Sequence, residues 1–194
     1  KGLLSLGHSI TMLAPEGSVL PPGCEQVDLR QVSGVQQPSW QHREYSGPAL
    51  IPLEGVLPRL WQQALELGAS ADAVVNFGYD WLPIWLTPRV KQRLFHLISM
   101  GGVSRIMKEL IRDVARSHNS RFAFHTKRQA SDFLLHHQPL IVGNGFDLSQ
   151  YELNLNSRGP LGWVGRIAPE KGLEDAAAVA TALQDRLLVW GLIE

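Results

Sequence analysis

The stretch P-L-G-W-V-G-R-I-A-P-E-K-G-L-E-D-A-A-A-V-A-T-A-L-Q-D-R-L-L-V-W-G, residues 160–191, decides the fold. A short apolar run over 160–166 reads as a strand. A tight turn follows, then an alanine-rich helical segment over 172–184, then a second apolar run over 186–191. Short apolar strands alternating with helices favour a parallel sheet covered on both faces. One such unit cannot cover both faces of its own sheet. Either more sequence follows in the natural protein, or the unit packs on another sheet.

Toward the N-terminus the same alternation repeats. Strands are expected over 9–14, 26–30, 72–77, 93–99, 120–126 and 140–142, and helices over 54–67, 103–115 and 127–137. Residues 1–6 read as the last turns of a helix whose start is missing, and 80–86 as a loop entering a short helix, with Trp81 and Trp85 as core anchors. Residues 31–52 are polar and rich in Gly, Pro and Gln. That is long for a connection, which points to a functional loop or one ordered by its neighbours. The fold class is therefore α/β: a Rossmann-like parallel sheet with helices on both faces over 1–146, a polar linker over 147–159, and the start of a second Rossmann-like domain over 160–194. Such sheets gather ligands at the carboxyl ends of their strands, here after Ala14, Phe77, Ser99, Thr126 and Val142.

Composition narrows the function. Lys plus Arg and Asp plus Glu are each 18 of 194 residues, so no global charge draws the chain to nucleic acid or to an anionic membrane. Hydrophobic residues at 44% and charged residues at 19% suit a packed core rather than disorder. Cys24 is the single cysteine, which rules out an internal disulfide and a cysteine-based zinc site and fits a cytoplasmic setting. No apolar run is long enough to span a bilayer, and residues 1–20 do not resemble a signal peptide. The histidines lack the paired spacing of a metal site, so no metal is expected.

Phosphate recognition must then be local, and residues 165–172 supply it. Gly165 lets a ligand approach the backbone, Arg166 offers a planar fork, and Lys171 adds a compact charge before a helix N-terminus. An ordinary surface turn with two solvated basic residues would carry the same sequence. Asn76, Tyr79 and Asp80, just past a strand end, could hold a flat heteroaromatic acceptor, and Ser99, Met100 and Gly101 could bring backbone N–H groups near it. Core packing and plain strand termination compete with those roles. His96 falls inside a strand and reads as a structural histidine. Gly143, Asn144 and Gly145 read as a hinge turn, with Asn144 helping to close a cleft.

The run G-R-I-A-P-E-K-G-L-E-D, 165–175, resembles the donor-site opening of the retaining GT-B glycosyltransferases of family 4. L-I-V-G-N-G-F-D-L (140–148), S-I-T-M-L-A-P-E-G-S (9–18) and R-F-A-F-H-T-K-R-Q-A-S-D-F-L (121–134) resemble other segments of that family in the same order. N-F-G-Y-D-W-L-P-I-W-L-T-P (76–88) and H-L-I-S-M-G (96–101) resemble the cyanobacterial enzymes that move glucose from UDP-glucose to tetrahydrobiopterin. The resemblance implies a hexosyltransferase that keeps the anomeric configuration and uses a UDP-sugar as co-substrate, with no metal and no other cofactor. The positions matching the family's diphosphate clamp are Arg166 and Lys171, and the active site would be the cleft between two domains. It also implies that the first strand and its glycine-rich loop precede Lys1, that paired glutamates follow Glu194, and that the 194-residue chain alone is inactive. The lack of a basic run in the first domain tilts the acceptor toward a small soluble molecule such as tetrahydrobiopterin. A sugar or lipid acceptor, or a non-catalytic nucleotide-binding module, are the alternatives.

Overall fold

The computed structural model describes residues 1–35, 53–153, 155 and 159–192. Most of the polar stretch expected to be a functional loop lies outside the described residues. The chain divides into two compact units, Lys1–Gly145 and Phe146–Glu194.

The first unit runs α1 (Gly2–Ser5), β1 (Thr11–Pro15), β2 (Asp28–Val32), α2 (Val56–Leu67), β3 (Val74–Asn76), α3 (Trp81–Leu86), β4 (Leu94–Ile98), α4 (Arg105–His118), β5 (Phe122–Phe124), α5 (Lys127–Ser131) and β6 (Leu140–Ile141). Every pair of adjacent strands is parallel. The unit is mixed α/β, with parallel sheets flanked by helices. Its described strands form two ladders rather than one: β1–β2, and β3–β4–β5–β6 in that order.

The core belongs to the four-stranded ladder. Ile98, Phe122 and Phe124 from β4 and β5 pack with Ile84 of α3, Met107, Ile111 and Ala115 of α4, Ala130 of α5, and Phe133. Met107, Ile111 and Ala115 recur every four residues, so α4 lays one stripe on the sheet. Burying each of the larger side chains contributes roughly 1.5–3 kcal/mol. The Ser104 hydroxyl caps α4 by accepting from the Met107 N–H at 3.5 Å.

Two sequence expectations need correction. The helix expected over 127–137 stops at Ser131. Phe133 turns inward to 1% exposure and Leu134 takes a left-handed φ of 50°, which no continuing helix permits. Trp85 is no core anchor. It is 41% exposed, and the Arg89 guanidinium lies over its ring at 4.0 Å from the centroid. Trp81 does pack against the core.

The second unit holds β7 (Leu161–Val164), a 3-10 turn (Pro169–Lys171), α6 (Leu173–Leu183) and β8 (Leu187–Trp190), with β7 and β8 parallel. Among its described residues only Ala180 is a buried hydrophobic.

Candidate functional sites at two strand ends

In the first unit the carboxyl ends of β3, β4, β5 and β6 are tied together by side chains from the loops that follow them. Asn76 ends β3 with 7% exposure. Its oxygen accepts from the Gly78 N–H at 3.0 Å, and its amide nitrogen donates to the Gly78 carbonyl at 2.9 Å. The strand register sets Asn76 beside His96, and His96 beside Phe122. The Asn76 amide therefore also reaches His96 Nδ1 at 3.1 Å, and the imidazole stacks on Phe122 with centroids 5.0 Å apart.

This arrangement fixes the tautomer. Nδ1 must accept from the Asn76 amide, so Nε2 carries the proton and donates to Thr87 Oγ1 at 2.7 Å, and that hydroxyl donates to the Pro83 carbonyl at 3.1 Å. Burial holds the His96 pKa down at about 3. His96 is neutral, bonded at both nitrogens and 1% exposed. Asn76 spends its amide on the same network and presents no free amide N–H to a ligand.

Tyr79 and Gly101 meet. The phenol donates to the Gly101 carbonyl at 3.1 Å, which joins the loop after β3 to the loop after β4. Burial, reinforced by the Asp132 carboxylate, pushes the Tyr79 pKa up to about 12, so this hydroxyl stays a donor across the physiological range. Asp80 serves as the N-cap of α3, its Oδ1 accepting from the Leu82 N–H at 3.2 Å. Ser99 is exposed and Met100 half-buried.

Three residues that sequence reasoning missed hold this edge in place. The Gln129 amide donates to the Ile98 carbonyl at 2.6 Å and the Met100 carbonyl at 3.0 Å, while its oxygen accepts from the His125 N–H at 2.9 Å. Asp132 Oδ2 accepts from the Gly102 N–H at 3.2 Å. The His125 Nδ1–H donates to the Gly143 carbonyl at 2.8 Å. Thr126 and Gln129 form the Thr-x-x-Gln signature of a capping box, which is visible in the sequence. The reach of Gln129 across to β4 is not. Asn144 and Gly145 are exposed at the end of the unit. An open depression of about 360 Å³ beside Gly102 is lined by Arg105, Lys108, Arg112 and Phe133, and none of the expected acceptor residues lines it.

In the second unit, residues 165–172 leave the carboxyl end of β7. The Gly165 N–H donates to the Trp190 carbonyl at 3.0 Å, and the Ile167 N–H to the Leu192 carbonyl at 2.8 Å, so the parallel pairing runs on beyond Val164. At this point the two backbones nearly touch: a Cβ on Gly191 would overlap the Gly165 carbonyl oxygen. The turn then closes on itself. The Lys171 N–H donates to the Ala168 carbonyl at 2.9 Å, and the Trp163 indole N–H to the Lys171 carbonyl at 3.3 Å. Gly172, with a φ of 65°, makes the left-handed step into α6, whose N-terminus receives no side-chain cap.

Arg166 is not simply a solvated cation. Its Nη2 donates to Glu170 Oε1 at 2.9 Å. Over 166–175 the two cations, Arg166 and Lys171, share the turn with three carboxylates: Glu170, Glu174 and Asp175.

Among the described residues no group of three His, Cys, Asp or Glu side chains is placed to hold a metal ion, and no helix is long and apolar enough to cross a membrane. The chain matches no protein-family model and no curated protein.

Proposed function

We propose that this chain belongs to a UDP-sugar-dependent glycosyltransferase of the GT-B type, with the donor diphosphate held by the turn at 165–172 and a small acceptor, a reduced pterin in the narrowest reading, held at the loop edge of the four-stranded ladder. The supporting observation is the placement of G-R-I-A-P-E-K-G. The motif leaves the carboxyl end of a parallel strand and enters a helix whose first turn has no side-chain cap. That is where backbone N–H groups and the helix dipole favour an anion.

In this reading Arg166 grips the diphosphate with two parallel N–H bonds, and Lys171 neutralises a second oxygen. As the bond from the sugar to the diphosphate oxygen breaks, its electron pair passes to the departing phosphate, and the acceptor oxygen bonds to the sugar while its hydroxyl proton passes to that phosphate oxygen. Preplaced cations stabilise the negative charge that develops there. Tyr79, Ser99 and the backbone of Met100–Gly101 are the acceptor contacts, and Gln129 and Asp132 keep that loop in register. Asn76 acts from behind, by fixing the turn that presents Tyr79.

Calorimetry on the 194-residue chain tests this. UDP binds, and Arg166→Ala weakens that binding roughly 10- to 100-fold. Tetrahydrobiopterin binding falls when Tyr79 is replaced by Ala. UDP binding with no acceptor binding would leave a nucleotide-binding module, and binding of neither ligand would end the transferase reading.

A further inference from the structure

We infer that Glu170 is a built-in competitor for the proposed diphosphate site: its carboxylate pairs with the Arg166 guanidinium and must be displaced before a phosphate group can take its place. This rests on the nucleotide-diphosphate reading above and deepens it.

The argument starts from the pair itself. Arg166 Nη2 and Glu170 Oε1 are 2.9 Å apart, with the two side chains 35% and 57% exposed. A carboxylate and a phosphate present the same oxygen geometry to a guanidinium, so they compete for one face of the fork. Glu170 sits in the 3-10 turn Pro169–Lys171, next to Lys171, so the competitor is carried on the same turn as the second cation. Glu174 and Asp175 lie in the first turn of α6, beyond the left-handed step at Gly172.

Displacement also grades ligands by charge. A half-exposed ion pair is weak and is readily exchanged for a better-placed anion. A nucleoside diphosphate, bridging Arg166 and Lys171, replaces it with a net gain. A monophosphate reaching Arg166 alone exchanges one anion for another.

The experiment is a double-mutant cycle read by calorimetry with UDP, and with UMP as the comparison ligand. Glu170→Gln keeps the shape and removes the charge, and it should tighten UDP binding roughly 3- to 5-fold. In the Arg166→Ala background the same substitution should change affinity by less than about 2-fold, because the pair no longer exists. Glu170→Gln should tighten UMP by no more than it tightens UDP, because only a ligand that displaces Glu170 from Arg166 recovers the full cost of the pair. Glu170→Ala, with thermal unfolding of both variants, guards against a folding defect. Equal tightening in the presence and absence of Arg166 would mean general charge removal and would overturn the inference while leaving the diphosphate reading intact. Unchanged UDP affinity in Glu170→Gln would do the same. Failure of every variant to bind UDP would overturn both.

Discussion

The four-stranded ladder of the first unit and the two-stranded ladder of the second are built from the same grammar of parallel strands and helices, yet they differ sharply in how well they are packed. β4 and β5 bury Leu94, His96, Ile98, Phe122 and Phe124 almost completely. In β7 and β8, Val164 is 80% exposed and Trp190 54% exposed, and α6 contributes Ala180 as the one buried hydrophobic among the described residues of that unit. A parallel sheet needs cover on both faces. The first ladder has its stripe from α4, with α3 and Phe133 beside it, whereas the second has a single alanine-rich helix. The loops after β3, β4 and β5 are held by a deep core and by side chains that cross from strand to strand. The turn at 165–172 is tied by short-range backbone bonds, the Trp163 indole and the Arg166–Glu170 pair, with little buried core beneath it.

The sharpest way to break this contrast is cavity creation. Phe124→Ala should cost roughly 3–5 kcal/mol, whereas Val164→Ala should stay within about 0.5 kcal/mol. Urea denaturation measures both, and comparable losses at the two positions would erase the distinction.

Acid offers a second and smaller test. The pKa of His96 falls from 6.5 to about 3 on folding. Between those values the unfolded chain binds a proton that the folded chain refuses. Its contribution is therefore complete above about pH 6.5 and lost as pH falls toward 3, by at most about 1.4 kcal/mol per pH unit. Amide protection in β4 should drop in that range, and His96→Gln should flatten the dependence. A wild-type stability that stays level from pH 6.5 to 4 would contradict the buried, neutral imidazole.

The smallest effect lies at the other end of α6, where Gln184 holds a left-handed φ of 52°. Gln184→Gly removes that strain and should raise the melting temperature of the second unit slightly, by up to about 1 kcal/mol in stability. A loss of stability instead would show that the Gln184 side chain anchors the helix end.

Much of the architecture was legible because it rests on periodicity. Short apolar runs separated by amphipathic segments gave the strands and helices, displaced by a residue or two at their ends, as with β1 at Thr11–Pro15 against the expected 9–14. Parallel pairing followed from the connections. The split between the two ladders of the first unit was not legible, since pattern along a chain does not say which strands are neighbours. At the site level, Tyr79 and Gly101 could be nominated because they follow strands, but their hydrogen bond joins positions 22 residues apart. Gln129 was hidden for the same reason, its partners Ile98 and Met100 lying some thirty residues earlier. The exposure of Trp85 was missed because a large aromatic on a short helix reads as core until the arginine that shields it is seen. Glu170 was in view as part of the motif, but nothing in a one-dimensional pattern says that an anion faces the cation four places before it.

The near-contact of Gly165 and Gly191 carries one last consequence. There the spacing of β7 and β8 is set by main chain against main chain, with no side chain between them. Any larger residue at 191 would act as a wedge, prising the strands apart at the point from which Arg166 departs. A neutral, apolar substitution would thereby shift Arg166 and Lys171 while leaving both charges in the sequence, a lesion that charge mapping alone would never reveal.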